Sequence, residues 1–383
     1  MQGLFHECKS NVERMVERIP ESNYQQLQHF ISDSEWDAKA VMSDVAENTN
    51  LSLESLAGEK GLILDESGNE KAGEKSVGVA RQYIGNVGKV CNSQVGVYAG
   101  LSRGDKISLV GAKLYLPREW TTDKKRCKKA GIPKEERKYR TKPELGLAII
   151  KELEGVSSYD WVGGDSIYGN SPELRKSLRE LGKAFVMDVG EELQVCLEKP
   201  HPFLPKSSGR GRTRSRLVIA QEKISLKKLI GEIQAREWKT IEYREGTKGK
   251  LVREAVLKKV WIWKKGTAEI EETEVLISRK LDQTEVKYSL CNESKGELSV
   301  EIALCATDAK ILDRASISRD QRANRAASIS SARVESVAPP HCVDDDVIAF
   351  HLGNASRKCG KLAANVVRRC QIDVGKYLEK QAG

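Results

Sequence analysis

Apolar positions change period several times along the chain, and the changes mark out its elements. Leu27, Phe30 and Ile31 recur at helical spacing, and Ser34-Glu35-Trp36-Asp37 predicts the start of a further helix with Trp36 as its anchor. Residues 1–58 therefore read as helical. At Leu62-Ile63-Leu64 the pattern becomes a continuous apolar run that stops on a carboxylate, Asp65. A polar loop with Gly68, Asn69 and Gly73 follows. From Ser76 to Tyr83, Val77, Val79 and Tyr83 alternate with Gly78, Ala80 and Gln82, which predicts a half-buried strand. Gly85-Asn86 and Gly88 predict a tight turn, and Lys89 to Tyr98 a third strand with Val95 and Val97 on one face. The three strands make an antiparallel meander.

Helical spacing returns after Leu114-Tyr115-Leu116-Pro117 and Glu119-Trp120. Thr141 followed by Glu144 fits a capping box, with Pro143 tolerated in the first turn. Leu145, Ala148, Ile149 and Leu153 form the apolar stripe of that helix, Gly155 closes it, and the stripe should cover one face of the sheet. In YDWVGGDSIYGN, Tyr159 to Asn170, Trp161-Val162 predicts a short buried strand ending at Asp165. Ser171-Pro172-Glu173-Leu174 starts another helix with Leu174, Leu178 and Leu181 inward and Gly182 as its stop, and Ala184 to Val189 returns as a strand. The order is β-β-β-α-β-α-β over 59–190, with an Asp ending the first and fourth strands.

Beyond about Glu191 the composition shifts. Gly209 to Arg216, with Arg210, Arg212, Arg214 and Arg216, is a basic loop. Trp238 to Tyr243, Leu251 to Val260, Trp261 to Lys264, Thr273 to Ile277 and Thr284 to Leu290 read as strands separated by turns. Residues 191–296 thus form a β-rich insertion, protruding from the core as a separate module. Its tryptophans Trp238, Trp261 and Trp263 read as core, with contact to a DNA backbone as the alternative.

Charge adds a partner. The 383 residues carry a formal net charge of +9, which suits a polyanion such as DNA. From Asp123 to Glu144 there are ten Lys/Arg against four acids, including Lys124, Lys125, Arg126, Lys128 and Lys129. That run reads either as a solvated helix face or as a phosphate-binding surface. The N-terminal helices likewise read as a bundle packed on the next domain or as a DNA-binding module. Nine scattered cysteines without a C-x-x-C pair point to reduced thiols of a cytoplasmic protein, with neither a disulfide frame nor a zinc site. No apolar run approaches membrane-spanning length, and no partner membrane is expected.

LILDES, SVGVARQYIGNVGKVCNSQV, LYLPREW, AGIP, TKPEL and WVGGDSIYG, followed by the β-rich insertion, together resemble insertion-sequence transposases of the DDE superfamily. The branch with a β-strand insertion in its RNase H-like fold is the nearest in pattern, and the resemblance runs from about Leu27 to Leu290. It implies a mixed α/β RNase H-like sheet in which the first and fourth strands are neighbours. Asp65 and Asp165 would then be the first two members of an acidic triad that binds Mg²⁺, or Mn²⁺ in its place. Two hard cations about 3.5–4 Å apart on oxygen ligands activate the attacking water or hydroxyl and stabilise the leaving 3′ oxygen. Such an enzyme nicks transposon ends, joins them to target DNA, and works as a homo-oligomer on DNA.

The family's third acid is a glutamate on a helix after the insertion, in a pattern like R-x-W-x-I-E-x-x-F-x-x-x-K. This chain has no such pattern in frame. From Ala306 it is rich in Ala, Ser and Arg and lacks strand or helix periodicity. Read one base later, the degenerate codons from Lys310 to Gln321 permit R-Y-W-I-E-R-x-F-Q-E-I-K, and those from Ala326 to Glu335 permit L-P-Q-Y-Q-V-R-G-W. The frame is inferred to slip near Glu301 to Cys305, with the glutamate codon straddling Arg314 and Ala315. A programmed frameshift is the alternative to gene decay. Residues 297–383 then form an out-of-frame, poorly ordered tail. Glu335 and Asp344-Asp345-Asp346 in it read as solvated charge, and His341, Cys342 and His351 lack zinc spacing. Two further readings stay open: a non-catalytic DNA-binding relic that still binds transposon ends, and another RNase H-like nuclease such as a junction resolvase, which the order of the blocks disfavours.

Overall fold

A computed structural model describes residues 37–292 except 86, 105, 207–214 and 247–248, together with 16, 23–32, 300 and 303–304. The chain divides into two compact units, one within Met1–Tyr159 and one within Asp160–Lys310. Both are α/β, in keeping with an RNase H-like fold.

In the first unit, helices α1 (Tyr24–Ser32) and α2 (Ala38–Glu54) precede the sheet. Asp37 caps α2 by accepting a hydrogen bond from the Ala40 amide, as its place in the predicted helix start requires; Ser34 to Trp36 lie outside the described residues. Strand β1 (Lys60–Glu70) pairs antiparallel with β3 (Lys89–Arg103), which also pairs with β2 (Ala80–Ile84) and β4 (Lys106–Leu114). The whole stretch Lys60 to Asp65 is buried, which is why Leu62-Ile63-Leu64 carries no alternation: a strand covered on both faces has no polar side. Lys60 is satisfied where it is buried, donating to Asn50 Oδ1 at 3.0 Å, Glu54 Oε1 at 2.5 Å and Ser158 Oγ at 2.6 Å.

Two expectations change here. The strand read over Ser76 to Tyr83 forms only from Ala80, because Gly78 takes φ +77° with the Tyr115 carbonyl packed 2.9 Å from where a Cβ would sit. Val77 and Val79 are still buried, but in the turn, and Tyr83 faces solvent. A fourth strand, β4, extends the meander, joined to β3 with a bulge at Ala99/Gly100.

Helices α3 (Arg118–Thr122) and α4 (Lys124–Lys129) follow β4, and then α5 (Lys142–Leu153). Helix α5 opens with the predicted capping box between Thr141 and Glu144 and buries Leu145, Ile149, Ile150 and Leu153. It lies on β3 and β4, and Ile149 packs directly on Gly111, where a Cβ would come within 2.3 Å of its side chain.

In the second unit, β5 (Trp161–Gly164) runs parallel to β6 (Ala184–Asp188), linked through α6 (Ser166–Gly169) and α7 (Pro172–Glu180). Beyond the small pair β7 (Gln194–Val195) and β8 (Ile224–Ser225) and helix α8 (Leu226–Glu232) come β9 (Lys239–Gly246), β10 (Gly249–Trp263), β11 (Ile270–Arg279) and β12 (Val286–Asn292). The sheet order is β5-β6-β12-β11-β10-β9. The β-rich segment is thus hydrogen-bonded onto β6 through β12, and the two strands expected across Leu251 to Lys264 are the single strand β10. Of the stretch 297–383, only 300 and 303–304 are described, so the expectation for the tail lies outside the described residues.

Candidate functional site

Asp65 is the last residue of the buried run in β1, opposite Tyr98 of β3, and only 5% exposed. Its Oδ1 accepts the Glu66 amide at 2.9 Å. Burying a carboxylate is costly without compensating charge or hydrogen bonds, and the Glu66 amide supplies one such bond. Strand β1 does not end there but continues to Glu70.

Glu66, which the sequence reading passed over, lies next to it. Its Oε1 is 3.2 Å from Lys142 Nζ, the two side chains being 18% and 20% exposed. Lys142 is the first residue of α5, and the capping box directly before it fixes its position. The Lys142 ammonium lies 6.0 Å from the Tyr115 ring centre. The Tyr115 hydroxyl meets that of Tyr139 at 3.5 Å, and the Arg118 guanidinium stacks 4.4 Å from the Tyr139 ring. Burial, then the neighbouring Tyr139, pushes the Tyr115 phenol up to about 12, while the hydrogen bond from Tyr115 holds Tyr139 down. One signal for Lys142 was available: a lysine at a helix N-terminus opposes the helix dipole and so asks for a carboxylate partner.

Asp165 follows β5 and caps α6, with Oδ1 accepting the Ile167 amide at 2.9 Å; it is half-buried. Close packing holds that turn. A Cβ on Gly169 would fall 1.9 Å from the Asp188 carbonyl oxygen, and one on Gly164 would fall 2.9 Å from Tyr168 Cβ, which accounts for two of the three glycines in GGDSIYG. Arg175, 2% exposed, donates to the Gly169 carbonyl and grips Glu271 of β11 through both carboxylate oxygens. Arg179 reaches the same carboxylate at 2.7 Å. Burial pushes the Glu271 carboxyl up, yet the two guanidiniums outweigh it and hold the group below the usual carboxylate range.

The basic candidates separate. Lys124, Lys125, Lys128 and Lys129 are exposed on α4, whereas Arg126 turns inward, stacked 3.7 Å from the Trp120 ring centre and donating to the Glu74 carbonyl at 2.8 Å. Trp120 is fully buried, and its Nε1 donates to the Val79 carbonyl at 2.8 Å. Arg216 is exposed, while Arg210, Arg212 and Arg214 lie outside the described residues. Trp238, Trp261 and Trp263 are half-buried rather than full core, with Arg279, Lys259 and Lys223 respectively against their rings. Cys91, Cys127, Cys196 and Cys291 are in no disulfide, and burial pushes the Cys127 and Cys196 thiols up.

Comparison with known proteins matches residues 4–250 to the DDE superfamily endonuclease family. The chain belongs to that family. A probable transposase for insertion sequence element IS701 from Microchaete diplosiphon is 36% identical over 174 residues, 43% of this chain and 41% of the relative. The alignment thus spans about two-fifths of that relative's length. Insertion-sequence transposases of the DDE superfamily are therefore the group to which this chain is allied, and the superfamily generally uses divalent metal. No helix among the described residues is long and apolar enough to cross a membrane.

Proposed function

We propose that the chain derives from a DNA nuclease and strand transferase acting at insertion-sequence ends, with Asp65 and Asp165 as cation ligands and Glu66 contributing a third carboxylate oxygen. The observation that carries this reading is the family match, which takes in both aspartates and the blocks around them. The donor set fits: carboxylate oxygens are the hard ligands that Mg²⁺ and Mn²⁺ prefer. Asp65 would act from a buried strand and Asp165 from a capped turn locked against β6, so neither carboxylate needs to be ordered when a cation arrives. A bound divalent cation would polarise the scissile phosphate and lower the pKa of an attacking water or hydroxyl. The carboxylates serve as ligands, not as proton carriers.

The exposed lysines of α4 and Arg216 would hold the DNA backbone, giving an affinity that falls steeply with salt. The active form would be a homo-oligomer on cytoplasmic, nucleoid DNA. The missing in-frame glutamate favours a second reading of this particular chain, a relic that binds transposon ends without cutting them. Losing a ligand leaves the reacting oxygens without their in-line clamp. Calorimetric titration with Mn²⁺ tests the site. The unaltered chain should bind, and Asp65→Asn and Asp165→Asn should each weaken binding at least tenfold. Unchanged affinity in both variants would overturn the assignment.

A further inference from the structure

We infer that Lys142 is a resident counter-ion for the acids of β1, holding Glu66 until a divalent cation displaces it and then offering its ammonium to a DNA phosphate. The inference rests on the proposed cation site but concerns a residue outside the ligand set.

Three observations carry it. The Lys142–Glu66 pair is largely withdrawn from water, with Nζ 3.2 Å from Oε1, so its charges are poorly screened. Lys142 occupies the first turn of α5, where the helix dipole disfavours a cation, so the carboxylate is what keeps it there. Glu66 is also the immediate chain neighbour of the buried Asp65, whose Oδ1 already accepts its amide. A divalent ion arriving at these acids brings more positive charge to the place where one ammonium now sits. The two cations repel, and Glu66 gains more from the ion. The freed ammonium is left beside the Tyr115 ring, 6.0 Å from its centre, with its charge available to a DNA phosphate. Lys142 is thus a positioning residue: it sets where Glu66 points without holding the ion.

The test uses the full chain and Mn²⁺ alone, titrated by calorimetry and checked by the loss of the free-ion electron paramagnetic resonance signal. Lys142→Met removes the competing charge and should tighten Mn²⁺ binding about tenfold, as expected for deleting a like charge at short range. Lys142→Arg keeps the ion pair and should bind like the unaltered chain. Thermal midpoints without metal would identify a variant that has simply lost its fold. Unchanged or weaker binding by a folded Lys142→Met would overturn the exchange. If Asp65→Asn abolishes binding in the same titration while Lys142→Met fails to tighten it, only the exchange falls. If Asp65→Asn binds normally, the cation site falls and the exchange with it.

Discussion

Arg175 grips Glu271 through both carboxylate oxygens, Nε to Oε1 at 2.7 Å and Nη2 to Oε2 at 2.6 Å, while its third nitrogen donates to the Gly169 carbonyl. One buried side chain therefore ties the turn after Asp165 to strand β11. Arg175→Met should destabilise the protein by roughly 2–3 kcal/mol, because it removes the bidentate partner of a largely buried carboxylate and leaves Arg179 alone on it. The folded Glu271 carboxyl is held low, so the pair's contribution is full above the unfolded carboxylate range and disappears as pH falls through the lower, folded value. Denaturant midpoints followed downward from pH 6 should show an acid loss in the unaltered chain that is smaller in Glu271→Gln.

Gly169→Ala should be among the most damaging single-methyl additions in the second unit. Its Cβ would overlap the Asp188 carbonyl oxygen, which is backbone and cannot swing aside. We expect a loss of roughly 1–3 kcal/mol from overpacking, read as a lower thermal midpoint. Gly182→Ala, at φ +65° with open space around it, should cost only about 1 kcal/mol.

The lysines of α4 can be separated from the core beneath them. Replacing Lys124, Lys125, Lys128 and Lys129 together by Gln should leave the thermal midpoint nearly unchanged. The same change should weaken duplex DNA binding and flatten its dependence on salt, measured by fluorescence anisotropy across a salt series. Trp120→Phe should behave in the opposite way. It loses the hydrogen bond to Val79 and about 1 kcal/mol of stability, while DNA affinity holds in the folded fraction.

Much of this was legible in the sequence because the local signals agreed with the packing. The Thr141–Glu144 box and the buried apolar run before Asp65 each have one physical reason, and each appears as expected. Tyr83 was misplaced because alternation assumes an unbroken strand, and Gly78 breaks it. Arg175 carries no local signal, since its partner lies 96 positions away on β11, beyond any local pattern. Glu66 was missed because successive side chains on a strand normally point to opposite faces, so a neighbour of Asp65 is a poor candidate from spacing alone. The identity of Arg126 as a packing residue was likewise hidden, since only the fold places the Trp120 ring beneath it.

In the proposed reading, Asp65 and Asp165 belong to a phosphodiester-cleaving site whose third acid is a glutamate encoded out of frame. The most direct measurement incubates duplex DNA bearing the ends of the encoding element with Mg²⁺ and either of two proteins, then resolves the products on a denaturing gel. One protein is this chain, and the other comes from the same gene with one base corrected ahead of codon 306. The account predicts nicks exposing a 3′-hydroxyl at the ends with the corrected protein, none when it carries Asp65→Asn or Asp165→Asn, and none with this chain. Robust cleavage by the uncorrected chain, or by the corrected protein lacking either aspartate, would contradict it.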